Sequence, residues 1–176
     1  MSYKALDETV DDKPGSVLVM PHFAGAATPY MDNGSKAAFL GITLETTKAD
    51  MYKAIMEGVT YEILLNLKRL EKAGINPKRL YATGGGAMSS VWLQMKANIL
   101  GVPITGLLAP EVGTVGTVML TGVAVGAFTD MDNAKAVMVK EGKTYYPDKQ
   151  KHEKYREIYK YYEKIYEAVR PIIIGE

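Results

Sequence analysis

The sequence predicts an α/β fold, with a mainly parallel sheet flanked by helices. Short apolar runs bounded by glycine or proline, at 17–20, 80–83 and 104–108, alternate with longer segments whose apolar residues recur at helical spacing, as at 51–70 and 91–99. The run at 80–83 passes through Gly84-Gly85-Gly86 into a helical pattern, which Gly101 and Pro103 close before the next apolar run. A strand, a crossover helix and a second strand joined in this way make a right-handed parallel pair.

The chain has 176 residues and is 47% apolar, enough for one core, and it fits one domain or one lobe of a larger protein. Lysine and arginine total 21 against 20 acidic residues, so no global positive field draws in nucleic acid or an anionic membrane. Cysteine is absent, which excludes disulfides and thiolate metal sites. With no charged-then-apolar leader at the start, a reducing cytoplasm is the expected compartment.

In chain order, residues 1–15 are polar and aperiodic, and read as a start segment or domain join ahead of a domain over 16–176. The apolar run 17–20 ends at Pro21 as a buried strand does. A loop over 22–36 follows, and its His22 has no neighbouring carboxylate or serine pattern that suggests a relay. Residues 37–43 return as a strand. Thr47 and Asp50 have capping-box spacing, and Met51, Ile55, Val59, Ile63, Leu67 and Leu70 mark the face that the following helix should bury. Gly58 inside that helix costs about 1 kcal/mol against alanine, so a close packing contact is expected there. Glu57 reads as solvated or as capping a neighbour.

Past the glycines, Ser89 or Ser90 is the natural N-cap of a helix carrying Val91, Trp92, Met95 and Ile99. After the strand at 104–108 comes the most apolar stretch, 115–128. It is shorter than the roughly twenty residues a membrane span needs and carries Gly116, Gly122 and Gly126, so a buried helix with close backbone approach is expected. Asp130 and Asp132 sit in a turn with Asp132 as an N-cap, a short helix spans 134–140, and 144–146 forms an edge strand. The stripe Tyr155, Ile158, Tyr162, Ile165 and Val169 docks a final helix over 147–170.

Three glycines between a strand and a helix admit two readings. They make a tight turn with close packing, or they let backbone meet an anionic ligand where helix-start amides favour its charge, a phosphate above all. A dinucleotide fingerprint through Gly84, Gly86 and Ser89 is weaker, because the acidic residue it needs about twenty positions on is absent.

The longer pattern Thr83-Gly84-Gly85-Gly86-Ala87-x-Ser89-x-x-Trp92-x-Gln94-x-x-Ala97-Asn98-x-x-Gly101-x-Pro103 resembles the second signature of the FGGY carbohydrate kinases, closest to the xylulokinase branch. Upstream, Pro21, Gly25, Thr28-Pro29, Asp32, Gly41-Ile42-Thr43 and Glu57-Gly58 resemble the opening of that family's C-terminal half, in the same order. The chain departs from the family where it has Ala26-Ala27, Asn98 and the stretch from Thr114 to Thr117.

The resemblance implies the actin-like ATPase lobe of the ribonuclease H type, and over 16–176 a C-terminal nucleotide-binding domain. It also implies a reaction in which the γ-phosphoryl of ATP, with Mg2+, passes to a sugar or polyol hydroxyl held between two lobes, catalysed largely by positioning and charge stabilisation. Gly84, Gly85 and Gly86 would lie near the α-phosphate and ribose, while Ala87 and Ser89 approach the base. The family's catalytic aspartate and first phosphate turn lie upstream of anything aligned here. The chain therefore reads as a nucleotide-side lobe, inactive alone, whose sugar contacts come from an N-terminal domain and whose uncovered face makes self-association an expectation. A stand-alone nucleotide-binding or interaction module is the alternative.

Overall fold

The computed structural model describes residues 3–108 and 111–175. In chain order it contains α1 (Tyr3–Asp7), β1 (Leu18–Met20), β2 (Ala38–Leu40), α2 (Lys48–Lys72), β3 (Leu80–Ala82), α3 (Ser90–Leu100), β4 (Ile104–Leu107), α4 (Val112–Ala124), α5 (Met131–Met138), β5 (Glu141–Tyr145), α6 (Lys149–Tyr162) and α7 (Ile165–Ile174).

The α/β class and the flanking helices are as the sequence predicts, but the mainly parallel sheet is not. β3 and β4 pair in parallel, with Leu80 opposite Ile104. β5 pairs antiparallel with β4, and β1 with β2 in a separate two-stranded ladder. The connections explain this. A single helix, α3, carries the chain back between β3 and β4, so they run the same way. Two mutually packed helices, α4 and α5, lie between β4 and β5, and the second reversal brings β5 in the opposite sense.

α2 begins with the expected capping box: the amide of Asp50 donates to Thr47 Oγ1 at 3.2 Å, and the Thr47 amide donates to Asp50 Oδ2 at 2.8 Å. Its buried face differs from the expected stripe. Ala54, Glu57, Gly58, Tyr61 and Leu64 are buried, whereas Met51, Ile55, Val59 and Ile63 are half-buried and Leu70 is exposed. Gly58 is the reason. A Cβ there would stand 2.2 Å from the carbonyl oxygen of Val19, so β1 lies directly on this turn of α2 and draws the glycine face inward. The main core gathers around it from Met20, Tyr61, Leu64, Leu93, Ile99 and Ile104, closed by Tyr155, Tyr159 and Tyr162 of α6.

Three other expectations need correction. The apolar helix α4 is mostly exposed: only Met119 and Gly122 are buried, and Leu120 is 63% exposed. Its main partner is the small helix α5, and Gly122 seats the ring of Phe128; apolar composition alone does not supply a cover. Asp130 rather than Asp132 caps α5, because Asp130 is the residue in extended backbone, and its Oδ1 accepts from the Asn133 amide at 2.7 Å. The final helix is two helices broken at Glu163 and Lys164: Tyr162 is held at Glu62 by a 2.6 Å bond, and α7 then turns to bring Tyr166 and Arg170 onto Asp32. The start segment, polar and aperiodic in sequence, contains α1 and is tied to the body by Tyr52 to Asp7, Lys53 to Asp11, Lys151 to Asp12 and the Gly15 amide to Glu57. No helix of the described residues is long and apolar enough to cross a membrane.

Candidate functional site

The glycine turn stands at the C-terminal end of β3. Gly84 leaves the strand with φ +75°, in the region that favours glycine, and residues 85–87 then wind into a single 3-10 turn. Its amides at Ala87 and Met88 donate to the carbonyls of Gly84 and Gly85 at 3.0 and 3.1 Å. Ser89 caps α3: its Oγ accepts from the Trp92 amide at 3.0 Å, and its carbonyl accepts from Leu93. The amides at the helix start without an intrahelical acceptor are those of Ser90 and Val91.

The three glycines are there for different reasons. Gly84 is required by its positive φ. Gly86 is required by packing, since a Cβ there would stand 3.0 Å from the edge of the Trp92 ring. Gly85 has neither constraint: its φ lies outside the left-handed region, and a Cβ on it would meet nothing within 4 Å. Gly84 and Gly85 are exposed, and Gly86, Ala87 and Ser89 are half-buried.

Behind the turn, the Trp92 indole is fixed by two hydrogen bonds, from Nε1 to the Met56 carbonyl and to Thr60 Oγ1, both 3.1 Å. The ammonium of Lys96 lies 4.1 Å from the centre of that ring, and burial holds it below the ordinary lysine value. Sequence reasoning placed Trp92 in the helix stripe and passed over Lys96. The four-residue spacing that puts both on one face of α3 was the available signal.

Asn98 joins the far end of α3 to α6: its Oδ1 accepts from Gln94 Nε2 and from the Asp148 amide, at 3.0 and 2.9 Å. The loop at 22–36 is a structural joint. His22 is buried, with Nδ1 2.7 Å from Ser35 Oγ, and Asp32 accepts from Tyr166 Oη and Arg170 Nε, each at 2.8 Å. Those two donors hold the Asp32 carboxyl at about 2. Glu57, expected to be solvated or to cap a neighbour, is buried rather than solvated, and it accepts from the Gly15 amide and from Tyr155 Oη, both at 3.0 Å. Among the described residues no group of three or more His, Asp or Glu is placed to hold a metal ion.

The model of the C-terminal domain of the FGGY family of carbohydrate kinases matches residues 2–125. The chain belongs to that family. A xylulose kinase from Staphylococcus epidermidis is 31% identical over 156 residues, which is 89% of this chain and 32% of that protein. A glycerol kinase from Streptococcus pyogenes is 35% identical over 132 residues, 74% of this chain and 25% of its own length. The crystal structure of a xylulose kinase from Brucella ovis superposes with a TM-score of 0.85 at 29% identity, covering 96% of this chain and 35% of that one. This FGGY lobe thus spans about a third of the xylulose kinases it matches, and its glycine turn is the junction between β3 and α3.

Proposed function

We propose that this FGGY lobe is the ATP-binding side of a two-lobed carbohydrate kinase, with the nucleotide lying across Gly84, Gly85 and Gly86 and the base toward Ala87 and Ser89. The observation that carries the reading is Gly85, which is exposed and has no conformational or packing reason within the chain to lack a side chain. Close approach of a ligand to the backbone supplies one. The pattern of glycine, small residue and serine cap suits a nucleotide: bare backbone for a phosphate, and room for a flat ring at the helix start. The proton acceptor and the sugar contacts belong to the other lobe on this reading, so the 176-residue chain alone binds nucleotide and transfers no phosphoryl group. Among the described residues no cluster of three or more His, Asp or Glu is placed to hold a metal ion, so on this reading Mg2+ enters with the phosphates and the opposing lobe. Xylulose kinase and glycerol kinase relatives support a sugar or polyol acceptor.

Titration of ATP into the chain and into Gly85→Val tests the assignment. One lobe of a cleft should bind ATP weakly, with Kd about 1 mM or −4 kcal/mol, and the valine should raise that Kd at least about tenfold. Because Gly85 is open and its φ is unstrained, the variant should unfold within about 1 kcal/mol of the parent. A Gly85→Val protein that binds ATP as the parent does would reduce the turn to a structural feature.

A further inference from the structure

Lys96 is a half-buried cation on the inner side of the glycine turn, and no carboxylate among the described residues pairs with it. A Cβ built on Gly86 would stand 3.5 Å from Lys96 Nζ, so the ammonium lies against the backbone of the turn. It rests on the face of Trp92, a ring that cannot swing away, because its Nε1 is engaged by the Met56 carbonyl and by Thr60 Oγ1. Burial strips water from this ammonium and lowers its affinity for the proton. A ring face compensates a desolvated cation only in part.

We propose that Lys96 is a phosphate-binding residue for the nucleotide that lies on the turn. The proposal rests on the nucleotide reading of Gly84, Gly85 and Gly86, and adds the charge which that reading otherwise lacks. Lysine presents three donors on a flexible stem, which suits a terminal phosphate oxygen without demanding a fork of fixed geometry. Trp92 holds the stem close, so the ammonium has a short distance to travel and little rotamer freedom left to lose on binding. Trp92 is then a positioning residue, holding Lys96 through the ring face and shaping the turn through its edge at Gly86.

The test titrates adenosine, AMP, ADP and ATP into the parent chain, Lys96→Met, Lys96→Arg and Gly85→Val, followed by NMR shifts, with a thermal melt of each. Methionine keeps an unbranched stem over Trp92 and deletes the charge. Lys96→Met should bind the phosphorylated nucleotides about tenfold more weakly and adenosine as the parent does, and Lys96→Arg should recover most of the loss. A purely structural role for Lys96 would shift adenosine and ATP together. If Lys96→Met binds ATP within about twofold of the parent while Gly85→Val does not bind it, Lys96 is no phosphate ligand and the turn reading stands. If Gly85→Val binds ATP normally, or the parent binds no nucleotide, the turn reading falls and the Lys96 proposal falls with it. Should Lys96→Met misfold, Lys96→Gln replaces it under the same criteria.

Discussion

Replacing Glu57 with glutamine should change the pH dependence of stability in a defined direction. The carboxylate is only 1% exposed, in the middle of α2, and accepts from the Gly15 amide and from Tyr155 Oη. Burial is the dominant influence and raises its pKa from 4.5 to about 7; the Gly15 amide, the Lys53 charge and Tyr155 oppose the rise without cancelling it. The folded chain therefore holds this proton more tightly than the unfolded chain does. The stability that Glu57 contributes is complete below about pH 4.5 and is lost as pH climbs through about 7. The difference between those values corresponds to about 3 kcal/mol, an upper figure because water can reach a strained carboxylate. Glutamine keeps an oxygen for both donors and cannot ionise. Any offset from its amide nitrogen is the same at every pH, so the informative quantity is the change in the stability difference. Urea unfolding followed by circular dichroism at several pH values from 4.5 to 8 should show Glu57→Gln gaining about 2–3 kcal/mol on the parent across that range. Parallel curves would mean that Glu57 is well solvated or compensated. A gain by the parent as pH rises would mean that its charged form is preferred, through Lys53, and would refute the burial argument.

Gly58→Ala should destabilise the chain by about 2–4 kcal/mol in thermal or urea melts, because the added methyl meets the Val19 carbonyl at 2.2 Å and β1 must move off α2; a loss under about 1 kcal/mol would mean the contact is looser than described. Ser89→Ala removes the acceptor of the Trp92 amide and should cost about 1 kcal/mol in a melt, while leaving the geometry of Gly84 and Gly85 intact.

What the sequence made legible was local. The capping box at Thr47 and Asp50, the Ser89 cap and the αL stop at Gly101 all depend on one residue and its immediate chain neighbours, and all are present. What it hid was set by partners distant in the chain. The buried face of α2 is chosen by where β1 lands on Gly58, and Glu57 is buried because Gly15 and Tyr155 reach it from opposite ends of the chain. The exposure of α4 reverses the expectation from its apolar composition, since burial requires a surface to pack on and α5 covers little of it.

The glycine turn shows the same limit within three residues. Identical letters conceal a backbone requirement at Gly84, a packing requirement at Gly86 and no internal requirement at Gly85, and only torsion angles and neighbours separate them. A purely structural turn would need glycine at 84 and 86 alone, and any small residue would serve at 85. The exposed middle glycine, over which neither the backbone nor the core has any claim, is therefore the residue whose substitution best separates ligand binding from folding.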